Sequence, residues 1–377
     1  MFIHELGWND QFNEKFREYE EKGFIPGRIA TEQKNVFYVL TETGEYKSII
    51  SDSLFKNAFY RSDLPVTGDW VALSNREGYD NLIIEKVLER STKISRKRVS
   101  ASGRKFNKPG TSEEQILVTN VDVIFFVMAL DRDFKLRKLE RYLTLIWDSG
   151  ANPVIILNKS DECSNPDKYR LEAESVSCGV PVHVTSAKYS SGIFELLQYL
   201  ETGKTGAFIG SSGVGKSSVI NALLDEEKMY INKTREGDSR GKHTTTHREL
   251  IILPQGGVLV DNPGLRDVKL VATDESLDHT FADIAELSNQ CKFRNCTHQT
   301  EPKCAVLQAI MTGKLSEERL GNYFKLQREL DHFSKRKYFR TKYEDSGKWK
   351  EDKLKRKKVQ HTAGVKGQKV TDVVAGN

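Results

Sequence analysis

The segment Gly210–Ser217 has the residue types and spacing of a phosphate-binding loop. It reads GSSGVGKS and matches the pattern G-x-x-x-x-G-K-S/T at every fixed position. Glycines let backbone N–H groups turn toward phosphate oxygens, Lys216 can reach the β- and γ-phosphates, and the Ser217 hydroxyl can bind Mg²⁺. An apolar run, GAFI, precedes the loop and a helical pattern, SSVINALL, follows it. The motif predicts a nucleotide site but does not choose between ATP and GTP.

Two further motifs indicate guanine. The segment Asn158–Asp161 reads NKSD after the apolar run PVIIL, and Ser186–Lys188 reads SAK after the run PVHVT. A carboxylate at Asp161 would accept hydrogen bonds from the N1–H and the 2-amino group of guanine, two donors that adenine lacks. A backbone N–H of the SAK segment would contact the guanine oxygen. Together with the phosphate loop, these motifs predict a GTP site.

Two segments are predicted to respond to the γ-phosphate and Mg²⁺. DNPG follows the apolar run GGVLV, so that Asp261 would hold Mg²⁺ through water and the Gly264 N–H would contact the γ-phosphate. Upstream, GKHTTT (241–246) supplies a threonine that would close on Mg²⁺. Thr245 is favoured, although any of the three threonines could serve, and a β-prone strand start is the alternative interpretation. The motifs assign to GTP the residues Asn158, Lys159, Ser160, Asp161, Ser186, Ala187, Lys188, Gly210, Ser211, Ser212, Gly213, Val214, Gly215, Lys216, Ser217, Ser218, Asp261 and Gly264.

The catalytic group is not fixed by these motifs. Many GTPases have a glutamine after D-x-x-G that orients the attacking water, and here that position is Leu265. An apolar side chain cannot orient water, so slow intrinsic turnover is expected. His243, beside the switch threonines, is the candidate, because a neutral imidazole could accept a hydrogen bond from water. A solvent-facing loop histidine is the alternative.

A cysteine-rich segment near the end of the chain suits a metal ion. Its possible ligands are Cys291, Cys296, His298 and Cys304. Three thiolates and one imidazole suit Zn²⁺ in a closed, structural, tetrahedral site. The spacing is not the common C-x₂-C pair, so buried free cysteines with a surface histidine are the alternative, and His279 is a spare ligand. Cys163 and Cys178 are expected to be small apolar residues.

Length and composition limit the possible classes of protein. The chain has 377 residues, 38% of them hydrophobic and 29% charged, which allows buried cores and excludes global disorder. No apolar run approaches the roughly 20 residues of a membrane span. The odd number of cysteines and the absence of a secretory pattern favour the cytoplasm.

The positive charge is concentrated in two places. Residues 335–377 contain fourteen Lys/Arg and five Asp/Glu, a net of +9, whereas residues 1–334 have a net charge of −4. Residues 93–108 hold seven Lys/Arg and no acid. Such clusters suit a polyanion, RNA rather than membrane. A solvated tail and a solvated linker are the alternative.

Hydrophobic patterning predicts the elements that position these motifs. Short alternating runs over 24–92 predict a small antiparallel barrel. Nearly all-apolar runs that alternate with helical patterns over 113–275 predict a parallel sheet with helices on both faces. The predicted segments are an N-terminal helix capped by Asn9 (1–23), an OB-like β-barrel (24–92), a basic linker (93–112), a nucleotide-binding α/β domain (113–275), a helical zinc-binding domain (276–336) and a basic, disordered tail (337–377).

The order of the motifs points to one family. Ordinary GTPases run phosphate loop, switch threonine, D-x-x-G, N-K-x-D and S-A-K, whereas here NKSD and SAK come first, so the domain is circularly permuted. That order, with a β-barrel before it and a Cys/His cluster after it, resembles the circularly permuted small-subunit ribosome-assembly GTPases of the RsgA type. The resemblance covers residues 24–335, and GKHTTTHR (241–248) and the cysteine spacing are specific to it.

The resemblance implies both an activity and partners. It implies a GTP hydrolase that binds the small (30S) ribosomal subunit, assists its late maturation and turns over faster on the ribosome, with His243 acting once the subunit orders the switch. It implies GTP/GDP with Mg²⁺, one structural Zn²⁺ and contact with 16S rRNA. We expect a monomer and no membrane contact. The alternatives are an RNA-binding adaptor that uses GTP as a structural or sensing ligand with negligible hydrolysis, and a regulatory GTPase of translation or of a membrane.

Overall fold

Five strands between residues 25 and 87 close into a barrel in the computed structural model. The structure describes residues 2–33, 36–76, 81–99, 112–130, 133–224, 249–254, 256–261 and 273–331. The barrel strands are β1 (Ile25–Gln33), β2 (Val36–Thr41), β3 (Gly44–Ile50), β4 (Trp70–Ser74) and β5 (Leu82–Val87). They neighbour one another in the order β1-β2-β3-β5-β4, and β3 and β5 are parallel. The prediction of a small OB-like barrel is confirmed, except that one of its strand pairs is parallel.

The barrel is filled by the apolar side chains of its alternating strands. These inward residues are Ile29, Phe37, Val39, Val71, Leu73 and Ile84. Helix α1 (Asp10–Glu20) precedes the barrel, and the Asn9 side chain caps it by accepting from the Phe12 N–H. The Phe12 ring lies 5.7 Å from the Trp70 ring, so α1 packs on β4. A short helix, α2 (Asp52–Asn57), follows β3.

Strands β6 (Lys93–Val99) and β7 (Ser112–Thr119) form an antiparallel pair after the barrel. The prediction of a basic linker over 93–112 is therefore wrong for Lys93–Val99; residues 100–111 lie outside the described residues. The buried residues Ile94, Ile116 and Val118 explain the difference, because these strands pack against the rest of the fold. Lys93 of β6 pairs with Glu114 of β7 at 3.0 Å, so the positive charge at the start of β6 is balanced by its partner strand.

A six-stranded sheet lies at the centre of the fold. Its strands are β8 (Val123–Ala129), β9 (Asn152–Asn158), β10 (Val182–Val184), β11 (Thr205–Gly210), β12 (Glu249–Ile252) and β13 (Val258–Asp261), in the order β10-β9-β8-β11-β13-β12. All neighbours are parallel except β12, which is antiparallel to β13. Helices α3 (Leu136–Ser149), α4 (Pro166–Ser177) and α5 (Lys216–Leu224) connect successive strands. The carboxyl ends of the five parallel strands meet at one edge, and the sequence motifs lie there.

Helices follow the sheet. They are α6 (Asp274–Thr280), α7 (Ala282–Ser288) and α8 (Ala305–Met311), and residues 317–331 are also helical. Met1–Leu326 form one compact unit and Gln327–Asn377 a second, of which the structure describes 327–331. The predicted disordered tail, 337–377, lies outside the described residues. Within the described part of the chain, every helix is too short or too polar to cross a membrane.

A buried arginine joins the barrel to the central sheet. The Arg28 guanidinium donates to the carbonyl of Leu6, to the Thr205 hydroxyl at 2.8 Å, to the Asn120 carbonyl at 2.8 Å and to the Gly68 carbonyl at 3.4 Å. Burial lowers the pKa of Arg28 to about 10, so the group is still charged at neutral pH. Thr205 begins β11, which places the barrel against the strand that leads to the predicted phosphate loop.

A second buried arginine joins the C-terminal helices to α3. Arg319 donates to Glu140 Oε1 at 2.8 Å and to both oxygens of Asp283 at 2.9 and 3.0 Å. It also donates to the carbonyls of Val176 and Thr280. Burial alone would lower the pKa of Arg319, but the carboxylates of Asp283 and Glu140 hold it above its ordinary value.

Candidate nucleotide and metal sites

The predicted phosphate loop connects β11 to α5. Strand β11 ends at Gly210 and helix α5 begins at Lys216. Gly210 has φ 146° and Gly215 has φ 96°, backbone conformations that a side chain would strain. A Cβ at Gly210 would also clash with the Val127 carbonyl, and one at Gly215 with the Asn158 side-chain amide. The two glycines therefore let the loop lie close to β8 and β9.

The side chain of Lys216 lies over the loop. Its Nζ donates to the carbonyls of Gly210 at 2.9 Å and Ser211 at 2.7 Å. Ser217 and Ser218 are exposed in the first turn of α5. The start of a helix presents free N–H groups and a partial positive charge, to which Lys216 adds an ammonium group. The arrangement is suited to an anion such as a phosphate chain.

Asn158 links all three predicted nucleotide motifs. It is 2% exposed at the end of β9. Its Nδ2 donates to the Val214 carbonyl at 2.8 Å, and its Oδ1 accepts from the Ala187 N–H at 3.1 Å and from the Thr185 hydroxyl at 3.2 Å. A single side chain thus fixes NKSD, SAK and the phosphate loop relative to one another.

Asp161 is oriented by the neighbouring SAK segment. The Ser186 hydroxyl donates to Asp161 Oδ1 at 2.6 Å and holds the pKa of Asp161 below its ordinary value. The ammonium groups of Lys188 and Lys159 lower this pKa further. The Ser160 N–H donates to the Thr185 carbonyl, just after β10, at 3.0 Å, which closes the turn. Asp161 is therefore a charged hydrogen-bond acceptor at neutral pH, as guanine recognition requires.

The predicted switch groups are not all placed. His243, Thr245 and Gly264 lie outside the described residues. Asp261 ends β13, next to β11, but its side chain is not among the groups that the structure describes. The Mg²⁺ and catalytic assignments therefore remain predictions.

The predicted metal ligands come together. One donor atom from each of Cys291, Cys296, His298 and Cys304 lies within 4.8 Å of all the others. Cys291 Sγ lies 3.8 Å from Cys304 Sγ and 3.6 Å from His298 Nδ1, and His298 Nδ1 lies 3.4 Å from Cys304 Sγ. The spare candidate His279 stacks on Trp147 instead, at 5.5 Å between ring centres. The cluster could hold one metal ion.

Hydrogen bonds around the cluster orient three of its donor groups, those of His298, Cys304 and Cys291. Ser288 Oγ donates to the Ile284 carbonyl at 2.7 Å, so His298 Nε2–H donates to Ser288 at 3.0 Å and Nδ1 keeps its lone pair for a metal. Cys304 caps α8 and accepts from the Leu307 N–H at 3.4 Å. Burial raises the pKa of Cys291, but hydrogen bonds from the first N–H groups of α8 bring it below its ordinary value.

Glu301 shapes the loop that carries His298. Its two oxygens accept from the N–H groups of Thr297 at 2.8 Å, Gln299 at 3.0 Å and Thr300 at 3.1 Å. These bonds, with one from the Thr297 hydroxyl, lower the pKa of Glu301 to about 2. His298 itself has φ 57°, a left-handed conformation that this loop must hold.

Three residues that contact the candidate sites belong to no sequence motif. Ser288 and Glu301 support the metal ligands, and Lys138 in α3 donates to the Ser211 hydroxyl of the phosphate loop at 2.6 Å. Each belongs to a residue type that is common on surfaces, so no local pattern marks it. Only the three-dimensional arrangement shows its contacts.

The comparisons with known proteins agree with this geometry. Residues 87–271 match the family model described as RsgA GTPase. The chain is 38% identical to Small ribosomal subunit biogenesis GTPase RsgA 1 of Oceanobacillus iheyensis over 93% of this chain and 99% of that protein. It is 42% identical to the corresponding RsgA 2 of Lactiplantibacillus plantarum, over 83% of this chain and 85% of that protein.

Solved structures support the circular permutation. YjeQ from Thermotoga maritima is 28% identical, with a TM-score of 0.59 over 81% of this chain and 98% of that one. YloQ, described as a circularly permuted GTPase, is 25% identical, with a TM-score of 0.57 over 82% of this chain and 96% of that one. The sheet order and the sequence order of the motifs fit that description. With these similarities over most of its length, the chain belongs to the RsgA GTPase family.

Proposed function

We propose that this GTPase binds the small (30S) ribosomal subunit, assists its late maturation and hydrolyses GTP faster when the subunit is bound. The observation that carries the GTP assignment is the position of Asn158, which holds the predicted guanine and phosphate segments at one edge of the sheet. The proposed partner, the small ribosomal subunit, comes from the names of the relatives. The same class of function follows from the motif order.

The roles of the nucleotide residues follow from their positions. The Asp161 carboxylate accepts from guanine, a backbone N–H of the SAK segment contacts the guanine oxygen, and Lys216 reaches the phosphates. Mg²⁺, held by Ser217 and Thr245, would neutralise charge between the β- and γ-phosphates. The exposed start of α5 suits this ion, because Ser217 presents its hydroxyl there.

Hydrolysis needs a group that orients water. Leu265 cannot do so, and His243 is the proposed group, which would act at the γ-phosphate when the subunit is bound. In that arrangement the imidazole accepts a hydrogen bond from the attacking water. Asp261 would hold Mg²⁺ through water, and the Gly264 N–H would contact the γ-phosphate.

The metal cluster is proposed to hold one structural Zn²⁺. Tetrahedral zinc separates two sulfurs by about 3.8 Å, and a sulfur from a nitrogen by about 3.5 Å. The Cys291, Cys304 and His298 distances of 3.8, 3.6 and 3.4 Å fit these values. Four protein ligands leave no position for substrate.

Metal analysis of the purified protein should find one zinc per chain. The zinc should be lost in Cys304→Ser and kept in the control Cys163→Ser.

RNA contact is proposed through the barrel and the basic segments 93–108 and 335–377. Phosphate contacts release counterions, so binding to 16S rRNA in the subunit should weaken steeply with salt. We further propose a monomer in the cytoplasm, consistent with its five free cysteines. Light scattering should give a mass near 42.9 kDa.

The test of the function is GTP turnover with and without isolated small subunits, at two salt concentrations. Stimulation that fades with salt supports the proposal. His243→Ala should lose the stimulation while it keeps GTP affinity. His4→Ala is the matched control, because His4 is exposed and lies near the start of the chain, far in sequence from the nucleotide motifs. Tight GTP binding without any stimulation would instead favour the adaptor role that Leu265 leaves open.

A further inference from the structure

Lys138 contacts the phosphate loop from outside the motif that defines it. It lies in the first turn of α3, and its Nζ donates to Ser211 Oγ at 2.6 Å. The same ammonium pairs with Asp133 at 2.5 Å. The side chain is 21% exposed. A hydrogen bond from an ammonium group in partly buried surroundings is stronger than one between neutral groups.

Two lysines hold Ser211 by different atoms. Lys216 donates to its carbonyl oxygen at 2.7 Å, whereas Lys138 donates to its hydroxyl. The ammonium group of Lys216 has three N–H donors, so it can contact the β- and γ-phosphates in addition to the loop carbonyls. The bond from Lys138 uses neither the carbonyl nor the loop N–H groups, so it can persist when nucleotide is bound.

Helix α3, which carries Lys138, is held in place by buried contacts. Glu140, two residues further on, is 1% exposed and accepts from Arg319 at 2.8 Å. The Thr144 hydroxyl contacts the Thr280 hydroxyl at 3.0 Å, which secures the next turn of the helix. A side chain on a helix that is anchored at several points can impose a position on a loop.

We propose that Lys138 is a positioning residue for nucleotide binding, which holds Ser211 and the first turn of the phosphate loop in shape while Lys216 engages the phosphates. It acts through Ser211 and does not touch the nucleotide. The proposal rests on the assignment of GTP to this loop but not on the ribosomal partner.

The experiment measures the Kd of a fluorescent GDP and of a non-hydrolysable GTP analogue. Lys138→Met should weaken both about tenfold, the order expected for a charge-assisted hydrogen bond. Ser211→Ala should weaken them similarly, and the double variant should be no weaker than either single variant. Lys138→Arg, which keeps charge and donors, should recover most of the affinity. Lys168→Met, on the exposed face of α4, is the control.

Turnover and stability distinguish positioning from a structural role. In Lys138→Met the KM for GTP should rise while kcat at saturating GTP stays unchanged, and the melting temperature without nucleotide should stay close to that of the wild type. Unchanged affinity, additive effects of the two substitutions, or a loss that Lys138→Arg does not restore would overturn the proposal. A wild-type protein that binds no guanine nucleotide would contradict the GTP site itself.

Discussion

The side-chain amide of Asn158 donates to the carbonyl oxygen of Val214 at 2.8 Å. Asn158 ends the strand that leads into the guanine-reading segment, and Val214 lies in the phosphate loop. In the proposed GTP site a nucleotide would extend from one segment to the other, so this contact would set the distance between the base site and the phosphate site. The two halves of the site are thus preorganised before ligand arrives.

Replacement of Asn158 by alanine should weaken guanine nucleotide binding. The substitution leaves the Val214 carbonyl and the Ala187 N–H without their partner, and two such losses predict a decrease in affinity of about tenfold to a hundredfold. Titration with fluorescent GDP measures it. Asn165→Ala removes the cap of α4 and should lower the melting temperature without this loss of affinity. Equal affinities of wild type and Asn158→Ala would show that the contact is dispensable.

Replacement of Asp161 by asparagine should change base preference. In the proposed site the carboxylate would accept from two guanine donors, whereas an amide offers one acceptor and one donor, which fits the 2-oxo group of xanthine better. GTP affinity should fall by about a hundredfold or more and xanthosine triphosphate should bind more tightly than in the wild type. Competition binding with both nucleotides tests this, with Glu162→Gln as the adjacent control. Retained guanine preference would remove Asp161 from base recognition.

The sequence reveals the motifs better than their supports. NKSD, SAK and the phosphate loop could be placed together because each follows a run that predicts a buried parallel strand, and such strands end at one edge. Arg28 and Arg319 could not be predicted as buried, since arginine is usually exposed and their partners lie far away in the chain. The basic composition of β6 favoured a linker, and its backbone pairing with β7 leaves no local signal in the sequence. Lys138 has no motif, and only the fold of α3 brings it to Ser211.

Glu301→Gln should destabilise the metal-binding loop in a pH-dependent way. Hydrogen bonds lower the pKa of Glu301 to about 2 in the folded protein, below its ordinary value of 4.5. The stability that the carboxylate contributes is therefore present above pH 4.5 and is lost as the pH falls toward 2. The melting temperatures of wild type and variant should differ at pH 7 and converge as the pH falls from 4.5.

The rate of metal release is an independent measure of how firmly Glu301 holds the loop that carries His298. Transfer of the proposed Zn²⁺ to a chelating dye at pH 7 should be faster for Glu301→Gln than for the wild type, because His298 loses its supported backbone conformation. Glu317→Gln, in the following helical segment, should behave as the wild type. Equal release rates would mean that the cysteines alone hold the loop.

Arg319→Met should destabilise the protein strongly, and more so at high pH. It leaves Glu140 buried without its cation, a change that typically costs about 3–5 kcal/mol. Burial already raises the pKa of Glu140, and loss of Arg319 would raise it further. An acid whose pKa is higher in the folded than in the unfolded state loses stability as pH rises between the two values. Unfolding at pH 5 and pH 8 should show the larger loss at pH 8.

Two variants check the cause of that loss. Arg319→Met combined with Glu140→Gln should recover part of the stability and lose the added pH dependence. Arg170→Met, an exposed arginine of α4, should change stability little at either pH. A pH-independent loss in Arg319→Met would indicate that packing, rather than the Glu140 charge, dominates.

The strand order of the central sheet also sets an order of assembly during synthesis. Strands β8, β9 and β10 are consecutive in the chain and adjacent in the sheet, so this half can pair as soon as it emerges from the ribosome. Strand β11 then pairs with β8, and β13 with β11. The phosphate loop is thus added after the NKSD and SAK segments have been made, at the same carboxyl ends of the strands. Nucleotide can stabilise a nascent chain only after this second half has been made, so the first half must fold on its own packing.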